Sequence, residues 1–110
     1  MSQARKKWLE SQYPREVFEC IRYLDLDKEG PNRGTKNKQE LMVRTLGYLF
    51  EWKEGKYNDW IKRLANRLSV STRTAKDNYL DPLISEGIVS RVSHKVFWVG
   101  ITEPDSLEGP

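Results

Sequence analysis

Two basic residues, Arg73 and Lys76, stand three positions apart in a stretch that predicts a helix, so their side chains leave one face of it. A guanidinium presents paired N–H donors to two acceptors in one plane, whereas an ammonium is a mobile point charge. Thr72 and Asp77 flank them with a hydroxyl and a carboxylate. This combination suits an anionic or hydrogen-bonding partner, although charge alone leaves open a merely solvated helix face.

The basic residues are concentrated in the middle of a 110-residue chain whose net charge is only +3. Residues 56–76 contain six Lys or Arg and one acid, Asp59, which gives a local charge of +5. Residues 102–110 contain three acids and no base, a local charge of −3, and predict a disordered acidic tail. A basic surface attracts polyanions through Coulomb attraction and counterion release, so nucleic acid is the partner class that this distribution favours.

No arrangement of residues in the sequence favours catalysis. The carboxylates are scattered, and the single cysteine and the single histidine, Cys20 and His94, are far apart in the chain. We therefore expect no enzyme, no catalytic residue, no cofactor and no metal site. A single cysteine gives no internal disulfide, and no apolar run reaches the roughly 18 residues of a membrane span. We expect a cytoplasmic protein without a signal peptide and without membrane contact.

Apolar periodicity predicts one domain over residues 14–101, preceded by a flexible segment at 1–13. The predicted elements are an additional helix at 14–26, a supporting helix at 38–53, two further helices at 58–68 and 71–86, and a hairpin at 88–101. The Gly- and Asn-rich residues between the first two helices predict a loop. Pro82 lies inside the last helix, where its missing N–H predicts a kink or break near residues 78–81.

The order of helix, turn, helix and hairpin over residues 58–101 resembles the winged helix-turn-helix family. Ala65 is small enough for two helices to approach closely, Val70 would fill the gap at the turn, and Gly87 would end the second helix. Pro82 departs from the family pattern, which has no central proline, and bears on helix length and approach angle. The resemblance implies an α+β, mainly α fold: a winged helix-turn-helix with an extra N-terminal helix and a short two-stranded wing.

In this family the first turns of the second helix meet base edges in a groove of double-stranded DNA. Arg73 would offer two donors to guanine O6 and N7, and the wing would touch the backbone. The DNA-binding residues that follow from the resemblance are Ser71, Thr72, Arg73, Lys76, Asp77, Lys56, Asn58, Arg91, His94 and Lys95. The implied function is sequence-specific DNA binding by a small prokaryotic transcriptional regulator. The alternatives are a winged-helix protein-interaction module in a nucleoprotein assembly and non-specific architectural binding.

The additional helix has an apolar face that either its own core or a second copy must cover. We predict a homodimer through this face, since one module reads only a few base pairs. The predicted interface residues are Val17, Phe18, Ile21 and Leu24. The aromatic residues Trp60, Tyr79, Phe97 and Trp98 are predicted to lie in the core rather than to stack on bases.

Overall fold

The computed structural model describes the backbone of residues 2–26 and 33–101 and the side chains of residues 7–26 and 37–101. Its helices are α1 (Ser2–Gln12), α2 (Arg15–Tyr23), α3 (Arg33–Trp52), α4 (Tyr57–Leu68), α5 (Thr72–Thr74) and α6 (Asp81–Glu86), with a π-helical segment (Ala75–Leu80) between the last two. The strands are β1 (Glu54–Lys56), β2 (Val89–Val92) and β3 (Lys95–Trp98). The α+β, mainly helical class is therefore confirmed.

The sheet has three antiparallel strands, with β3 between β1 and β2, and this corrects the predicted two-stranded wing. The strand β1 reads Glu-Gly-Lys and has no alternating apolar pattern, so only its pairing with β3 makes it a strand. A Cβ atom at Gly55 would lie 2.5 Å from Nε1 of Trp60. Glycine is therefore needed where the large indole packs against this strand.

The N-terminal residues form a helix, which corrects the prediction of a flexible segment over residues 1–13. The side chain of Leu9 in α1 is fully buried, while Trp8 beside it is half exposed. The segment has a weak apolar pattern, and a single well-buried leucine gave no periodic signal from which a helix could be predicted. The predicted tail at 102–110 lies outside the described residues.

The apolar face of α2 packs on the core of its own chain. Val17, Phe18 and Ile21 are buried there, and the half-buried Leu24 packs against the same cluster. Val17, Phe18 and Ile21 therefore cover the core of their own chain, which is the alternative stated for this face, and a dimer contact through α2 stays a prediction. The indole N–H of Trp98 donates to Glu16 at 3.0 Å and ties α2 to β3.

Two helix boundaries differ from the prediction. The helix α2 ends at Tyr23 rather than at residue 26, because Asp25 adopts a left-handed conformation with φ of 63° and Leu26 N–H donates back to Ile21. The helix α3 begins at Arg33, inside the predicted loop. Glycine and asparagine only weaken a helix, so their presence did not stop α3 from extending.

The three helical stretches between residues 72 and 86 follow one another without leaving right-handed helical geometry; we call them the composite helix. The Asp81 N–H donates to the carbonyl of Lys76, five residues back, as a π-helix requires. This wide turn lies just before Pro82, which has no N–H to donate to the carbonyl four residues back. The predicted break is thus a change of helical register.

The π-helical segment also determines which apolar residues of this helix face the core. With bonds between residues five apart, Ala75 and Leu80 share one face, and both are fully buried. The helix ends at Gly87, which has φ of 84° and donates to Ile84, as predicted.

None of the helices among the described residues is both long and apolar enough to cross a membrane.

The thiol of Cys20 should be unreactive in the folded chain. Burial, with the nearby carboxylates of Glu16 and Glu19, raises the pKa of this thiol from 9.0 to about 12, so its thiolate fraction at pH 8 falls about a thousandfold. Iodoacetamide should label the native chain far more slowly than the urea-unfolded chain, and mass spectrometry can follow the labelling. Equal labelling rates in the two states would contradict this prediction.

The raised pKa of Cys20 also predicts that its contribution to the free energy of unfolding is complete below pH 9 and declines as the pH rises above 9.

Candidate nucleic-acid interface

The composite helix starts with a capped and exposed turn. Ser71 is the N-cap, and its hydroxyl oxygen accepts from the Thr74 N–H at 3.1 Å. Thr72 and Arg73 follow on the surface, and the Arg73 side chain is 91% exposed. Its Nε atom lies 3.6 Å from Oδ2 of Asp77, a solvated contact that holds the guanidinium only weakly. The side chains of Thr72 and Arg73 are therefore accessible to a partner.

Lys76 differs from Arg73 because two carboxylates hold it. Its ammonium lies 3.3 Å from Oδ1 of Asp77 and 3.1 Å from Oδ2 of Asp81. The hydrogen bond to Asp81, and then the one to Asp77, raise the pKa of Lys76, so the lysine stays charged. Two cations and two anions give this part of the helix no net charge. The sequence places Lys76 correctly on the surface but does not show that its charge is already matched.

Tyr57 connects the composite helix to the sheet. Its hydroxyl donates to Oδ1 of Asp81 at 2.6 Å, and the guanidinium of Arg91 lies 3.8 Å from the centre of its ring. Burial, and next the hydrogen bond to Asp81, raise the pKa of the phenol. The same residue donates its backbone N–H to the carbonyl of His94 at 2.7 Å. The start of α4, the composite helix and the hairpin tip are therefore joined on one side of the molecule.

The end of the sheet near the hairpin tip is positively charged. Lys56 and Lys95 are directly opposite each other on β1 and β3, and both are exposed. Like charges in this position repel, so an anion between them would be favourable. Arg91 donates through Nε to the Ser93 carbonyl at 3.0 Å and is therefore oriented. A cleft of about 410 Å³ opens here, and its lining residues are Lys56, Tyr57, Asn58, Asp59, Arg91 and His94.

The residues predicted from the sequence thus form two adjoining groups. The helix group contains Ser71, Thr72, Arg73, Lys76 and Asp77, and the sheet group contains Lys56, Asn58, Arg91, His94 and Lys95. Sequence reasoning did not identify the link between them, Tyr57 and Asp81. A pairing of residues 76 and 81 is not expected in a regular α-helix, where positions five apart point in different directions. The unmatched positive charge lies on the sheet group.

No group of three or more His, Cys, Asp or Glu side chains among the described residues is placed to hold a metal ion. The interface offers hydrogen-bond donors, cations and the carboxylates of Asp59, Asp77 and Asp81 as its chemistry. Comparison of the chain with protein-family models, with curated proteins and with solved structures finds no match.

Proposed function

We propose that the chain is a winged helix-turn-helix protein that binds double-stranded DNA in a sequence-specific manner, with the composite helix in the major groove. The observation that carries this proposal is the joining of the composite helix, at Asp81, to the cationic hairpin end through Tyr57. A reading helix needs backbone contacts beside it to fix its position on the duplex. The two groups supply these two kinds of contact from one side of the molecule.

Within this proposal Arg73 reads a base edge. It stands in the first turn of the composite helix, the part that enters a groove most deeply in helix-turn-helix complexes. Its guanidinium is free to give two parallel N–H donors to O6 and N7 of a guanine. Thr72 beside it is short enough to meet a phosphate or a thymine methyl group. Direct reading therefore rests on few side chains, and we assign the principal one to Arg73.

The hairpin end supplies backbone contacts. Lys56, Lys95 and Arg91 present three positive charges around the cleft, and Asp59 is the acid that lines it. Phosphate oxygens would relieve the repulsion between the paired lysines, so binding should weaken as salt rises. Homodimerisation stays a prediction, and a palindromic preferred site together with a dimer in sedimentation would support it.

Arg73→Ala should weaken binding to the preferred duplex by about 1–2 kcal/mol and relax the preference at one position, since one bidentate base contact is lost. The preferred duplex is first selected from a random pool, and dissociation constants are then measured by mobility shift or anisotropy. Arg15→Ala is the matched control: its side chain is 90% exposed and likewise contacts a carboxylate four residues on. Arg15 lies on α2, away from the interface, so the affinity of Arg15→Ala for the preferred duplex should equal that of the wild-type chain. A pool with no enriched sequence, or an unchanged affinity for Arg73→Ala, would refute the proposed reading residue.

A second function, a protein-interaction module, is favoured by one observation. Asp77 and Asp81 offset the charges of Arg73 and Lys76, and with Glu86 the composite helix has a net charge of −1, which suits a protein surface as well as DNA. This alternative predicts no mobility shift with any duplex. It also predicts that the wild-type chain and Arg73→Ala co-elute with a protein partner to the same extent at high salt.

A further inference from the structure

A second cationic surface lies between α3 and α4, and we call it the arginine ladder: Arg44, Arg63 and Arg67 with the rings of Tyr48 and Trp52. The guanidinium of Arg63 lies 5.3 Å from the Trp52 ring centre, and that of Arg67 lies 5.7 Å from the Tyr48 ring centre. The two rings are stacked 6.0 Å apart with 12° between their planes. Cations and rings thus alternate along the groove between the two helices.

Backbone and side-chain contacts fix the third arginine. Nη2 of Arg44 donates to the Tyr48 hydroxyl at 3.3 Å and reaches the Arg67 carbonyl at 3.5 Å. That carbonyl is in the last turn of α4, where the helix dipole is negative and favours a nearby cation. All three guanidinium groups are exposed, while both rings are half-buried beneath them. Their stems are therefore held in place while their N–H donors face solvent.

The ladder differs from the composite helix in having no carboxylate partner within the part of the chain that the structure describes. The ion pairs among the described side chains involve Arg15, Arg73 and Lys76, and none involves a ladder arginine. Glu51 lies on the same helix, α3, and lines a cavity with Arg44 and Tyr48, but forms no ion pair with a described side chain. Three positive charges on one surface repel one another, so an anion bound there would be favourable.

The ladder is also separate from the proposed reading face. Tyr57 and Arg63 are six residues apart on α4, which places their side chains about 120° apart around the helix. Tyr57 contacts the composite helix through Asp81, whereas Arg63 contacts α3 through Trp52. A ligand on the ladder therefore leaves the composite helix free.

We propose that the arginine ladder is a second nucleic-acid contact, which binds successive phosphates of a DNA duplex without reading its sequence. Guanidinium groups match phosphate oxygens through paired donors. Successive phosphates along one strand offer a row of charges, as the ladder does. Base stacking fits less well, because Arg63 and Arg67 already lie over the Trp52 and Tyr48 rings. The ladder acts beside the proposed reading face and rests on separate residues.

The test measures the salt dependence of binding to a long duplex of random sequence. The variant carries Arg44→Gln, Arg63→Gln and Arg67→Gln, since glutamine keeps an amphipathic side chain over the rings without the charge. Each phosphate contact contributes about 0.9 to the slope of log K against log salt, so the variant should lose about 2.7 of that slope. The companion variant Arg44→Lys, Arg63→Lys and Arg67→Lys keeps three charges and should keep most of the wild-type slope.

The control carries Lys7→Gln, Arg15→Gln and Arg22→Gln, three exposed cations on α1 and α2. It removes the same charge from elsewhere and should leave the slope close to the wild-type value. A ladder variant with the wild-type slope overturns the proposal, as does a control that loses as much. The proposal is also overturned if the wild-type chain binds single strands but no duplex, or if it binds only an acidic protein segment. Arg73→Ala tests sequence preference and this test measures the salt slope, so either proposal can fail alone.

Discussion

Replacing Trp60 with alanine should lower the free energy of unfolding by about 3–5 kcal/mol, the range for a large aromatic side chain removed from a core. The side chain is only 1% exposed and lies in α4 against the glycine of β1. Its ring centre is 5.9 Å from that of Trp52 in α3. One residue thus joins two helices to the small sheet, and its loss would leave a cavity at their junction.

Urea unfolding of the variant, followed by far-ultraviolet circular dichroism, measures this loss. Trp8→Ala is a control of the same chemistry, because the Trp8 side chain is 49% exposed and should contribute much less. Trp60→Phe should fall between them: it keeps a ring, and it removes an indole N–H that has no partner among the described residues. Similar losses for Trp60→Ala and Trp8→Ala would show that the α3–α4–β1 junction is not the centre of the core.

The double variant Asp77→Asn, Asp81→Asn should bind duplex DNA about eightfold more tightly at 0.1 M salt. Both carboxylates hold Lys76, so their neutralisation frees this cation for a phosphate contact. One such contact strengthens binding by roughly eightfold at this salt concentration. The amide oxygen of asparagine still accepts from Tyr57, so the joint to the sheet should persist.

The gain should come with a steeper salt slope and a smaller difference between preferred and random duplexes, because the added attraction is to the backbone. Glu19→Gln on α2 is the control for loss of an exposed carboxylate, and its binding should change little. An unchanged affinity for the double variant would mean that DNA does not approach the composite helix. That result would favour the protein-interaction alternative.

The sequence predicts those elements that carry a periodic apolar pattern. The helix α4 is an example, with buried Trp60, Ile61, Leu64 and Leu68 at helical spacing. The strand β1 is a counterexample, because its three residues acquire strand geometry only by pairing with β3. The helix α1 shows the same limit, since one buried leucine cannot define a period. Local pattern is therefore sufficient for large elements and not for those that depend on tertiary contacts.

The sequence predicts which residues of the candidate site lie on the surface, but it does not predict how their charges are paired. The sequence identifies Arg73 and Lys76 as surface cations, and both are accessible to solvent. The pairing of Lys76 with Asp81 depends on the π-helical register. An argument from periodicity assumes an α-helix and therefore does not predict this pairing. The arginine ladder depends on how α3 packs beside α4, and contacts between helices far apart in sequence cannot be read from spacing within either one.

In the composite helix an uncharged residue, Pro82, influences how the charge of Lys76 is paired. Pro82 lacks a backbone donor, and the turn before it places Asp81 five residues from Lys76 on the same side. In a regular α-helix these two residues would diverge, and the ammonium would keep only its contact with Asp77. The charge that this face presents to solvent is thus set partly by backbone stereochemistry. Exchange of a single imino acid for an ordinary residue could alter it with no ionisable group gained or lost.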